Sequence, residues 1–325
     1  MHFISIVAFF VALGCAPSVV ISTAGGSKCS QPRIRKEWLV HAESSILERL
    51  RSILTFFPMR TLSNSQQDAY INAVQCLMKV PSKGTSFYDT LENRYDDFVA
   101  MHINATRGGD NAPPIVAPGG NSSTGETFNP VPPVPPPSIF GIHGVGIFLP
   151  WHRYAIWTFE SALRSECSYT GAQPYWDWTL DNPASNSSIL TAPVWRSFGT
   201  NSSPTTGCVE DGAFAGTTLN LGPENSIAKN PRCLTRAFGV ELFDSSSQFK
   251  DVYPLVMQRQ SYRQLQFFID GLDFLSPDDM DKGEWEALVN LHTLGHTAIG
   301  GDLLDLYSSP NDPLFWVHYI LLDYL

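Results

Sequence analysis

The sequence is short of positive charge: 21 Lys and Arg stand against 31 Asp and Glu, a formal net charge of −10. An acidic chain is not drawn to phosphate or anionic lipid, so nucleic acid and membrane surfaces are excluded as main partners. Long apolar runs are missing as well, and no segment holds 18 uninterrupted apolar residues, the length a bilayer demands. Charged residues make up 16% against 43% hydrophobic, which excludes a chain dominated by disorder or coiled coil. There is no alternation of strand and helix patterns and no internal repeat, which argues against a doubly wound sheet or a solenoid. Cysteine and histidine are both scarce, at six and eight in 325 residues. The length suits one large domain or two small ones with a buried core.

What is present begins at the N-terminus. Phe3 to Leu13 form an apolar run of signal-peptide length, and Ser22-Thr23-Ala24 supply small residues for cleavage. Residues 1–24 therefore read as a signal peptide and 25–325 as the mature domain of a secreted protein. Losing Cys15 with the signal leaves Cys29, Cys76, Cys167, Cys208 and Cys233, enough for two disulfide bonds with one left over, in a pairing that sequence leaves open. Asn-x-Ser/Thr sequons at Asn104, Asn121, Asn186 and Asn201 lie in polar surroundings that suit surface loops of a glycoprotein.

The body reads as mainly α. A helix ending before Pro81 is capped by Ser63 or Ser65 and turns Ala69, Ala73, Cys76, Leu77 and Val80 to the core. A second spans 87–103 and a third runs from Pro150 to about Cys167. Between them, 107–137 is a Pro- and Gly-rich loop with the run VPPVPPPS. Residues 171–235 read as long loops pinned by cysteine. Helices return at 252–270 and 283–298, and a last one starts near Asp312.

Of the eight histidines, His2 falls in the signal and His41 stands alone. His292 and His296 are four apart, so on a helix both rings share one face about 6 Å apart along the axis. Such a pair can chelate a transition metal. His143 lies on a Gly-flanked stretch and His152 at a helix start, among Phe148, Leu149 and Trp151, a dry wall of the kind a metal site needs. Arg153 and Glu160 are candidates for holding the rings in place.

These segments resemble the tyrosinase and catechol oxidase family of binuclear (type 3) copper proteins, particularly its secreted fungal members. The resemblance rests on RYDDFVAMHINAT, HGVGIFLPWHRYAIWTFE, QPYWDW, LHTLGHTAIGGD and SSPNDPLFWVHYILLD, and covers roughly residues 60–325. It implies a four-helix-bundle copper core with long loops. It also implies two copper ions, the first on His102, His143 and His152 and the second on His292, His296 and a third ligand from the last helix. The implied activity is oxidation of o-diphenols, and in some relatives of monophenols, to o-quinones with O2. The partners would then be a small phenol and O2, with no nucleic acid and no membrane. A dinuclear zinc hydrolase would instead need bridging carboxylates that these motifs do not supply.

The chain departs from the family pattern in places. Relatives carry two adjacent histidines near the end, the second being the ligand, where this chain has His318-Tyr319. The sixth ligand is thus His318 or Tyr319, and neighbouring helical positions point about 100° apart, so one cannot simply replace the other. A tyrosine there also admits an oxygen-binding or catalytically inactive copper protein. Thr293 stands where monophenol-active relatives have Asn, with Glu284 or Glu286 matching the Glu that works with it, which leans toward diphenol oxidation. Leu306 occupies the place of a Phe over the site in some relatives. Gly141 replaces the Cys that others link to a His. Residues 39–59 interrupt a stretch continuous in the family and read as an insertion, and relatives continue beyond the helix in which Leu325 falls, so the C-terminal end reads as incomplete.

Overall fold

A computed structural model of the protein describes residues 57–107, 141–245, 252–270 and 291–325. All of these belong to one compact unit, Leu54–Leu325. The signal segment 1–24, most of the 39–59 insertion, the 108–137 part of the Pro-rich loop, Cys29, His41, Asn121, Glu284 and Glu286 lie outside the described residues.

Six helices place the site. They are α1 (Asn64–Leu77), α2 (Arg94–Arg107), α3 (Phe148–Cys167), α4 (Tyr262–Asp270), α5 (Leu291–Ile299) and α6 (Leu314–Tyr324). Helices α2, α3, α5 and α6 form the bundle, and shorter helical turns and long loops wrap it. One two-stranded antiparallel ribbon pairs Thr218–Leu219 with Arg232–Cys233. The mainly α architecture implied by the sequence is the one observed.

Local chemistry sets each boundary. The Ser63 side chain accepts from the Gln66 amide and the Gln66 side chain answers from the Ser63 amide, a reciprocal cap that starts α1. The face that α1 buries includes Ala73 and Leu77 as expected but is wider, taking in Tyr70, Ile71 and Val74, while Ala69 stays at the surface. Gln67 goes in too, because its amide donates to the carbonyls of Met59 and Leu62 and its oxygen accepts from the Ser197 hydroxyl.

Helix α2 starts at Arg94 rather than 87. The amides of Glu92 and Asn93 are taken by the Asp96 carboxylate, and the Asn93 side chain accepts from the Asp96 amide, so the chain turns into the helix only there. Asp96 and Asp97 also place negative charge at the positive end of the helix. The helix expected over 252–270 is two, Val252–Met257 and α4, because Ser261 caps a new start through the Gln264 amide. Asn104 sits half-buried within α2, where its side chain accepts from the Tyr88 hydroxyl, rather than on a surface loop. Asn186 and Asn201 are exposed as expected.

Cys76–Cys167 ties α1 to the end of α3, and Cys208–Cys233 pins the loop beside the ribbon. In the core, Trp316 of α6 stacks on Phe159 of α3 at 3.9 Å and meets Phe98 of α2 edge-on. Its indole N–H donates to the Tyr95 hydroxyl, which donates in turn to the Pro310 carbonyl. The start of α6 hangs on a fully buried ion pair: the Arg236 guanidinium grips Asp312 at 2.7 and 2.9 Å and also donates to the carbonyls of Phe198 and Gly199. Removing one member of such a pair leaves the other charged, buried and unpaired. Arg236→Met is expected to lower unfolding free energy by about 3–5 kcal/mol, read as a shifted denaturant midpoint at unchanged slope.

Candidate metal centre

Five histidines meet where the four bundle helices converge. His102 comes from α2, His152 from the first turns of α3, and His292 and His296 from one face of α5; all are buried. His143 comes from the loop entering α3, which approaches the end of α2 closely. Gly141 there adopts φ +60°, and a Cβ on it would lie 2.1 Å from the Ala105 carbonyl oxygen. A side chain at position 141 has no room in this backbone.

Among the described residues, His102, His143 and His152 form a cluster whose donor nitrogens all lie within 4.8 Å of one another. The ring of His143 stacks parallel to His292 at 5.7 Å, which joins this triad to the α5 pair. The outer nitrogens are engaged. His102 Nδ1 donates to the Tyr307 carbonyl at 2.7 Å, His152 Nδ1 to the Phe148 carbonyl at 2.9 Å, and His296 Nδ1 to the Leu303 carbonyl at 2.5 Å. With protons on those outer atoms, Nε2 carries the lone pair and faces inward. His102 Nε2 and His152 Nε2 are buried with no partner. Two unsatisfied lone pairs aimed into one dry space is an arrangement a bound cation resolves, so the triad fits a metal ion.

Burial pushes His102 down to about 4, against the pull of the Tyr307 carbonyl, and pushes His296 down to about 4 against that of Leu303. His152 and His292 are held well below the usual histidine range, first by burial and then by their imidazole neighbours. All four are therefore neutral at pH 7, the form that binds metal. Phe148, 4.5 Å from His152 and 4.7 Å from His292, and Phe315, 5.1 Å from His102, keep the space apolar.

A carboxylate stands behind His292. Asp270, at the end of α4, accepts from the Gly144 amide at 2.6 Å, and its other oxygen lies 3.0 Å from His292 Nδ1. Burial holds its pKa well above the usual carboxylate range, with the Gly144 amide pulling the other way. It links the His143 loop to α5. Nothing in the sequence marks it: it closes a helix face shared with the buried Gln266, whose side chain also hydrogen-bonds it.

On α6, Tyr319 points into the centre and His318 does not. Tyr319 Oη lies 2.5 Å from His292 Nε2 and 3.2 Å from His296 Nε2. His318 instead accepts at Nδ1 from the Trp178 indole N–H at 3.1 Å, with its ring laid over Gly295. Arg153 and Glu160 do not hold the rings: Arg153 pairs with Asp323 and Glu160 with Arg164. Thr293 follows His292 on α5, half-buried, and Leu306 is exposed beside the residue whose carbonyl holds His102.

Comparison with known proteins decides the family. The profile described as the common central domain of tyrosinase matches residues 92–325. The chain belongs to the tyrosinase family. It is 27% identical to Tyrosinase P of Aspergillus terreus over 350 residues, covering 97% of this chain and 80% of that one. It is 28% identical to the N-acetyl-6-hydroxytryptophan oxidase of Emericella nidulans, covering 100% of this chain and 81% of the relative. Among solved structures, a polyphenol oxidase variant from Thermothelomyces thermophila superposes with a TM-score of 0.61 at 28% identity, covering 85% of this chain and 71% of that one. As a member of this binuclear copper family the chain is an oxidoreductase of phenol oxidase type.

Two measurements test the centre. In the metal-free chain His102 and His296 stay neutral down to about pH 4 while unfolded histidines take up protons near 6.5. The unfolded state thus binds more protons in that window, and stability should fall as pH drops from 6.5 toward 4, by about 1.4 kcal/mol per pH unit for each residue. His102→Gln should flatten that slope in denaturant titrations. Asp270→Asn should weaken copper binding by about 10–100-fold in a chelator competition.

Proposed function

We propose that the protein oxidises o-diphenols to o-quinones with O2 at a two-copper centre. The observation that carries this reading is the buried His102, His143 and His152 triad set face to face with His292 and His296. The triad would hold the first copper, and the α5 pair two of the ligands of the second. Copper would supply the redox chemistry when bound: two diphenols give up four electrons and four protons and leave as two quinones, and one O2 leaves as two waters.

The chain's own residues do the rest. The Tyr307, Phe148 and Leu303 carbonyls fix the ring orientations of His102, His152 and His296, so that nitrogens rather than C–H edges face the centre. Phe148 and Phe315 exclude water from the triad. Asp270 is engaged on one oxygen by the Gly144 amide and on the other by His292 Nδ1, so it is committed to holding the ring rather than to taking a phenol proton. That favours diphenols, whose oxidation needs no hydroxylation step, over monophenols. Secretion is part of the proposal, supported by the apolar N-terminal run and by two disulfide bonds. No helix among the described residues is long and apolar enough to cross a membrane.

A second reading, an oxygen-binding or inactive copper protein, is favoured by one observation, the Tyr319 hydroxyl against the α5 pair. Activity separates the two. Copper-loaded protein should convert 4-methylcatechol to its quinone with matching O2 uptake, and His143→Ala should reduce the rate by about 100-fold or more. Copper uptake with no quinone would favour the second reading.

A further inference from the structure

The second half of the centre contains a donor set that differs from the first. Three atoms converge there: His292 Nε2, His296 Nε2 and Tyr319 Oη, the oxygen lying 2.5 and 3.2 Å from the two nitrogens. Tyr319 is fixed in this position, stacked on His152 at 4.4 Å and on Phe315 at 4.2 Å and only 1% exposed. The outer nitrogen of His292 faces Asp270 and that of His296 donates to Leu303. Both rings are thus oriented as metal-binding imidazoles are, each outer nitrogen set against a carboxylate or a carbonyl.

One hydroxyl serves two nitrogens badly. Its single proton can go to only one of His292 and His296; with His296 Nε2 accepting it, His292 Nε2 must donate to the oxygen, which leaves His292 Nδ1 as a lone pair against the Asp270 carboxylate. A cation between the three atoms removes the conflict, since each then donates a lone pair to it. Donors bonded about 2 Å from a shared tetrahedral ion stand roughly 3.3 Å apart. The oxygen and His296 are at that spacing already, and the oxygen and His292 need to open by less than about 1 Å.

His318 offers no alternative. Its Nδ1 accepts from Trp178, the His292 carbonyl faces the ring, and a Cβ on Gly295 would lie 2.2 Å from its Cε1. Helix α5 has a glycine where this ring rests, and turning His318 inward would carry Tyr319 out by about 100°.

We infer that the second metal position is a two-imidazole, one-phenolate site, with Tyr319 Oη as the third donor beside His292 and His296. The identity of the metal rests on the copper reading above. Binding displaces the hydroxyl proton to solvent and leaves the oxygen as an anionic donor. Such a donor stabilises Cu(II) over Cu(I), so the two copper positions differ in how readily they are reduced.

The test is spectroscopic and uses the full chain loaded with copper. Expected are two coppers per chain by elemental analysis, a phenolate-to-Cu(II) absorption band, and tyrosinate ring vibrations in the resonance Raman spectrum excited in that band. Tyr319→Phe should abolish the band and lower the content toward one copper. Tyr319→His should abolish the band and keep both coppers. Should Tyr319→Phe fail to fold, the Raman spectrum of the unaltered chain decides alone. One copper per chain without tyrosinate vibrations, or a band that survives Tyr319→Phe, overturns the inference and leaves the first copper in place. A chain that takes up no copper overturns the functional reading as well.

Discussion

The centre depends on keeping imidazoles neutral and aimed inward in a space with almost no water. Burial supplies most of the neutrality, since a charged ring there has nothing to solvate it, and the neighbouring imidazoles add to it. It does not supply direction. Direction comes from carbonyls at Phe148, Leu303 and Tyr307, each fixed by its own backbone. The loops that look irregular in sequence are therefore structural parts of the site. The residues from Gly301 to Tyr307 do nothing chemical, yet two of their carbonyls decide which nitrogen of His102 and of His296 meets a metal.

The helices in turn serve to bring these loops together. Trp316, Phe159 and Phe98 lock α6, α3 and α2 into one stack, and the Tyr95 hydroxyl links that stack to the turn before α6. Cys76–Cys167 fastens α1 behind α3. Asp270 ties the His143 loop to α5 across a sequence separation that no local rule anticipates.

Much of this was legible in the sequence. The i, i+4 spacing of His292 and His296, a serine cap at Ser63 or Ser65 and the apolar setting of His143 and His152 are local signals. Much of what was not legible depends on distant partners, and the rest on side-chain caps at Asp96 and Ser261 that compete with a continuous helix. The buried face of α1 is wider than its apolar residues indicate, because Gln67, polar in sequence, finds partners at Met59, Leu62 and Ser197. The break at Gln258–Ser261 hides in a stretch whose composition favours helix throughout. Arg153 and Glu160 have suitable chemistry near His152, but their partners at Asp323 and Arg164 draw them outward. The sequence showed a Tyr at the ligand position. Only the packing shows that His318 is engaged by Trp178.

The buried Arg236–Asp312 pair acts on more than stability. Asp312 lies seven residues before Tyr319, two helical turns, and its carboxylate also accepts from the Leu314 amide that begins the helix. The grip therefore fixes the rotational phase of α6 from its first residue. A slip of one residue would exchange Tyr319 for His318 at the centre, turning an oxygen donor into a nitrogen donor without any change of sequence. The ion pair works as an index pin: among the adjacent residues of one helix, it selects which is presented to the chemistry.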